Sequence, residues 1–309
     1  MRRLLTWAAA AVLPALLVSA LNVGCTGGDK TEDNKAAGDV KATEGKGKPK
    51  PSALTAVEGK GKATIKGKIK FAGEKPNFKP EDDKLLAEMK AKDEAHCVAG
   101  AKPEDLQQQH WRIADDGGLQ YVFVWIQPPD GKFFKIDPAT LPADLTKDKV
   151  LDQPKCAFEP HAFVLFPKYR DPADPKKMKE TGQKLVIKNS NQTAHNTDFS
   201  GGDDNPQKNN QIAPGSKIEQ VFEPSAHEID FKCTIHPWMN AYARAFDHPY
   251  ATVTGKDGTY EIKDAPAGAE VHLVIWHELG GFGKDGKKGK AVTLKEGDNT
   301  FDFEMGKGG

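Results

Sequence analysis

Within seven positions, the stretch Phe231-Lys-Cys233-Thr-Ile-His236-Pro-Trp-Met239 offers a thiol, an imidazole and a thioether. Two imidazoles and one thiolate in a trigonal set, with a long weak thioether on the axis, make a mononuclear copper site built for electron transfer. The second imidazole has to come from elsewhere in the chain. The segment LVIKNSNQTAHNTDF supplies it: an alternating apolar run from Leu185 to Ile187, a polar turn, and then His195-Asn196. Such a run reads as a strand that delivers a loop. The candidate ligands are therefore His195, Cys233, His236 and Met239, holding one copper ion. Zinc accepts thiolate and imidazole, but a thioether suits copper far better. Taken singly, a buried Cys or Met is ordinary core filler. The joint spacing is what points to a metal.

The spacing Cys-x-x-His-x-x-Met with Pro237 after the second histidine resembles the short ligand loop of amicyanin, and His195-Asn196 resembles the first-ligand segment of plastocyanin-type cupredoxins. The resemblance runs from about Cys156 to Phe246. It includes Phe158-x-Pro160, FVLF, Gly182 and LVIKN as opening strands, and it departs from the pattern by the insertion YRDPADPKKMKE at 169–180. It implies a Greek-key β-sandwich with a type 1 copper site. Asn196, with Thr234, would tie the His195 loop to the Cys233 loop. An exposed edge of His236, ringed by Pro237 and Trp238, would be the port through which electrons reach a redox protein partner. His161 and His227 match no ligand position and are expected at the surface or just behind the ligands.

Those loops need strands to hold them, and the chain is long enough for two small cores. It has 309 residues, and Lys+Arg equal Asp+Glu at 44 each, which gives no hint of a nucleic-acid partner. Residues 1–25 have a basic start at Arg2-Arg3, an apolar stretch interrupted by Pro14, and Leu21-Asn-Val-Gly24-Cys25. This is a secretory signal, and its end resembles a bacterial lipobox with Asn22 in place of the usual aliphatic residue. Lipid on Cys25 would anchor a periplasmic lipoprotein to a membrane. Cleavage after Val18-Ser19-Ala20 would instead release a soluble protein. Residues 26–60 are poor in large apolar side chains and are expected to be a disordered tether. With Cys25 and Cys233 assigned, Cys97 and Cys156 remain. In an oxidising compartment a disulfide is the expectation for such a pair, the alternative being two free buried thiols.

Between tether and ligand loops, ATIKGKIKF at 63–71 alternates as a strand, Pro80 to Cys97 reads as one short helix, and LQYVFVWI at 119–126 reads as a strand covered on both faces. After the ligand loop, HPYATVTGKDGTYEIKDAPAG resembles the closing half of carboxypeptidase-regulatory-like, transthyretin-like sandwiches, and the middle domain of rhamnogalacturonan lyases. That module is non-catalytic, so the resemblance implies a scaffold and no lyase activity. His277-Glu278 sit side by side and, on a strand, would face opposite ways, so they are expected to do no joint chemistry.

The expected fold is thus all-β: a cupredoxin sandwich at 151–246 and a transthyretin-like sandwich built from 61–150, which carries the helix, and 247–309. The second sandwich would be split by the first, with Ile69 and Val124 sharing a core with Val253 and Val274. The function expected is extracytoplasmic electron transfer without catalysis. Its rival is a copper-sequestering or structural surface lipoprotein with no redox partner.

Overall fold

A computed structural model describes residues 53–307, so the expected secretory segment, Cys25 and most of the expected tether lie outside the described residues. The end of that tether is structured. Thr55–Ala56 pairs in parallel with Lys132–Phe133, and Val57 is buried, because a single apolar side chain there meets the core beneath it.

Among the described residues the protein is all-β with a single α-helix, and its main sheets stack as two sandwiches. In the first, a five-stranded sheet runs in the order Asn205–Ile212, His195–Gly201, Ile229–Lys232, Asn240–Ala245, Ala162–Leu165. It faces a three-stranded sheet of Lys217–Gln220, Leu185–Lys188 and Lys149–Leu151. Inward side chains alternate along these strands, as a half-buried sheet requires. Phe163, Leu165, Phe199, Ile229, Phe231, Ala241 and Ala243 meet Leu151, Leu185 and Ile187 in one core. The insertion at 169–180 forms most of a two-stranded ribbon, Lys168–Asp171 with Asp174–Glu180.

The second sandwich draws on both flanks of the chain. Lys62–Phe71 pairs with Thr259–Pro266 on one side and with Gly297–Thr300 and Phe303–Met305 on the other. Phe123–Gln127 lies between Ala251–Val253 and Glu270–His277. Ile69, Val124, Ile126, Val271, Leu273 and Ile275 fill the space between these sheets. Val253 and Val274 do not join them. They lie on the opposite face of the same sheet, with Phe123, Trp125 and Trp276, against Ala162, Val164, Tyr242 and Phe246 of the first sandwich. Glu270–His277 is apolar on both faces, and both faces are covered. The outer face of one sandwich is therefore the floor of the other, and a third core joins them.

The helix, Lys79–Cys97, also departs from expectation. Its buried Met89 and Cys97, with half-buried Leu85, belong to the core of the first sandwich and not to that of the second. A disulfide between Cys97 and Cys156 fixes its end there. The helix kinks at Asp93, whose carboxylate accepts from the His96 backbone N–H and lies 2.7 Å from His96 Nδ1. Such side-chain competition for the backbone is a usual cause of a kink. Among the described residues, no helix is long and apolar enough to cross a membrane.

Candidate metal centre

His195 opens the strand His195–Gly201, and Cys233 follows directly on Ile229–Lys232. These strands are antiparallel, with Asp198 opposite Lys232 and Phe199 opposite Phe231. Carried past its last pair, that register sets Thr197 against Cys233 and Asn196 against Thr234. His195 is thereby brought level with the turn that carries His236. The turn is closed by its own backbone: Cys233 N–H donates to Met239 O at 3.2 Å and Met239 N–H to His236 O at 2.9 Å. All four candidate ligands are buried, none more than 2% exposed.

The donor atoms converge. His195 Nδ1 and His236 Nδ1 face each other at 3.0 Å, and a ring nitrogen of each lies within 4.8 Å of Cys233 Sγ. Met239 is packed in the same buried cluster as Cys233. On the far side of the first ring, the Asn191 amide sits 3.4 Å from His195 Nε2, which leaves Nδ1 to face the cluster. Burial, and then the neighbouring His236 ring, lower the His195 pKa to about 4, and burial lowers that of His236. Both rings are therefore neutral at ordinary pH, the form in which an imidazole can bind a metal.

Asn196 ties the two loops together. Its Oδ1 accepts from Thr234 N–H at 2.9 Å, Thr234 Oγ1 at 3.1 Å, Ile235 N–H at 3.3 Å and Cys233 Sγ at 3.2 Å. Its Nδ2 donates to Asn209 Oδ1 at 2.7 Å, which anchors it to the neighbouring strand. Two further residues of this frame were not singled out from the sequence. Asn189 donates from Nδ2 to Thr193 O and Ile212 O, and its Oδ1 accepts from Asn191 N–H. The signal was present in Asn189-Ser-Asn191, since such side chains organise turns through local backbone bonds.

The surface around His236 differs from expectation. His236 is 1% exposed and has no open edge. The end of the helix and the Cys97–Cys156 bridge cover it, with both sulfurs close to its ring nitrogen. Pro237 is exposed and Trp238 is half-buried, its ring centre 5.3 Å from that of His236. Trp238 Nε1 donates to Cys156 O at 2.9 Å, which holds the indole against the disulfide loop. His227 is exposed, whereas His161 is buried, with its Nδ1 3.0 Å from Asn240 O.

No protein-family model and no curated protein matches this sequence. Among solved structures, the copper-containing nitrite reductase (NirK) of Thermus scotoductus SA-01 is similar at a TM-score of 0.26 and 12% identity, over 33% of this chain and 23% of that one. Amicyanin from Paracoccus versutus gives 0.25 and 17%, over 39% of this chain and 96% of its own. The purple cupredoxin of Nitrosopumilus maritimus gives 0.24 and 14%, over 32% and 99%.

Proposed function

We propose that this protein carries single electrons through one copper ion held by His195, His236, Cys233 and Met239. One observation carries the reading: two imidazole Nδ1 atoms face each other at 3.0 Å, and a thiol sulfur lies within 4.8 Å of a ring nitrogen of each, all in residues no more than 2% exposed. When bound, copper supplies a one-electron couple between Cu(II) and Cu(I). The chain supplies the rest. Neutral buried rings need no deprotonation before binding, the Asn196 bonds fix the spacing between the two loops, and the closed turn holds Cys233 and Met239 in one frame. Prearranged donors of this kind resist the geometry change that either oxidation state alone would favour.

Electrons would enter and leave through Trp238 and Pro237, which reach solvent in the His236–Met239 turn, and a redox protein would dock there. No substrate chemistry is assigned to the site. The Cys97–Cys156 disulfide supports an oxidising, extracytoplasmic location. Attachment to a membrane through lipid on Cys25 belongs to the same reading.

The covered His236 edge gives copper sequestration its specific support, since a storage site gains from being sealed. The two readings part on one measurement. Copper-loaded protein should show an intense visible thiolate-to-copper band that bleaches on reduction, returns on oxidation, and is lost in Cys233→Ser. A colourless protein that holds only Cu(I) would favour sequestration. A band that survived Cys233→Ser would overturn the ligand assignment.

A further inference from the structure

A second constellation lies at the seam between the sandwiches, and the copper reading does not use it. His161 immediately precedes the strand Ala162–Leu165 of the first sandwich. Glu278 immediately follows Glu270–His277 of the second, and His110 comes from the loop after the turn Pro103–Leu106. The strand ends at His277, whose Nδ1 accepts from Leu279 N–H at 3.2 Å and Gly280 N–H at 3.3 Å. The chain curls there, so Glu278 escapes the strand alternation that the sequence suggested and turns inward. Its side chain is 3% exposed and that of His161 is 1% exposed, while that of His110 is 37% exposed.

Glu278 Oε1 lies 2.5 Å from His161 Nε2, and Oε2 lies 2.8 Å from His110 Nδ1. The other face of His161 decides what this means. Its Nδ1 is 3.0 Å from the carbonyl oxygen of Asn240. A carbonyl only accepts, so Nδ1 carries the hydrogen, and in a neutral ring Nε2 is then a bare lone pair. A lone pair aimed at a carboxylate oxygen is repulsive unless something positive lies between them. That positive species is a proton held between the two side chains or a cation.

Three features favour the cation. The three ligand atoms lie within 4.8 Å of one another, and a tetrahedral ion with bonds of about 2.0–2.1 Å sets its ligands roughly 3.3 Å apart, a small adjustment. A histidine that donates its outer N–H to a backbone carbonyl is held as metal-binding imidazoles are held. His110 and His161 also line a cleft of about 320 Å³, which gives an ion a way in. We propose that His110, His161 and Glu278 bind a divalent cation of the zinc class. Two imidazoles and a carboxylate with no sulfur suit such an ion.

The test uses the full mature protein, stripped by chelator, dialysed against Zn2+ and assayed for bound metal and by calorimetry. Zinc should bind, and His110→Ala and Glu278→Gln should each remove one equivalent or weaken it beyond the roughly 10–100-fold that loss of an outer partner costs. Cys233→Ser should keep that equivalent, which separates this site from the copper reading: either can fail alone. Circular dichroism checks folding. If Glu278→Gln does not fold, the half-exposed His110→Ala decides. Failure of the wild type to retain zinc, or equal zinc binding in wild type and His110→Ala, would mean that the cluster is an imidazolium–carboxylate pair and would overturn the proposal.

Discussion

Met239 and Asn196 make separable contributions to the candidate centre. A thioether is a weak axial ligand that favours Cu(II) slightly, so Met239→Leu should keep copper and raise the reduction potential, as read by voltammetry. A lowered potential would remove Met239 from the ligand set. Asn196→Ala should cost about 1–3 kcal/mol in urea unfolding, because Thr234 N–H, Ile235 N–H and the thiol lose their shared acceptor. No measurable cost would show that water replaces the amide. At this scale the sequence was most legible. Donor type and spacing mark His195, Cys233, His236 and Met239 as candidates, because ligand chemistry is a property of individual side chains, and the fold gathers them in one buried core. The cover on His236 was not legible, since it comes from a helix some 140 residues earlier in the chain. The pairing of Cys97 with Cys156 could be expected from their number, but not which surface that bond would pull the helix onto. The role of Glu278 is hidden for a local reason: the strand ends at His277, so its alternation does not reach the next residue.

The elements around the site are held by a few long-range ties. The disulfide spans 59 positions, and in the chain-entropy model closing such a loop is worth about 4 kcal/mol. Cys97→Ser paired with Cys156→Ser should lose most of that and expose His236 to solvent. Unfolded copper-free protein carrying lipid on Cys25 should show one reactive thiol before reduction and three after; three before reduction would remove the bridge. A second tie is Asp152, at the end of Lys149–Leu151. Its carboxylate accepts from Gln153 N–H at 2.8 Å, Ser190 N–H at 3.1 Å and Ser190 Oγ at 3.0 Å, and pairs with Lys188 at 2.8 Å. Burial alone would raise its pKa, but these partners outweigh burial and lower it. A carboxylate depressed in the folded state adds stability above its unfolded value of about 4 and loses it as pH falls through the folded value. The stability gap between wild type and Asp152→Asn should therefore be constant near neutrality and shrink in acid. A gap independent of pH would remove this ion pair from the turn that presents His195.

For the whole molecule, the informative feature is the third core. Arg244 emerges from the first sandwich, 4.7 Å over the Trp125 ring and 5.2 Å over that of Trp276, while donating to Ala226 O at 2.7 Å. A guanidinium laid on two indoles joins the sandwiches by packing as much as by charge. The wild type should therefore melt in one calorimetric transition. Trp125→Ala, at a cost of about 3–5 kcal/mol, should separate the two sandwiches into two transitions. Two transitions already present in the wild type would mean that the shared floor does not couple them. The sequence pointed to the split sandwich through two incomplete halves. The phase of Val253 and Val274 was hidden, because a strand apolar on both faces gives no clue to which face meets which core.

The split also sets an order of events on the ribosome. Ile69, among the first described residues to be made, pairs with Phe303, among the last. The strand carrying Ile69 must wait for nearly the whole chain before its sheet can close. The inserted sandwich has no such delay, since every strand it needs lies between residues 149 and 245. Folding first, it would draw its own ends together and replace a loop of more than a hundred residues by a short one. The entropy of closing the outer sheet falls accordingly. The module that holds the ligands would then act as an internal template for the scaffold that later supports it.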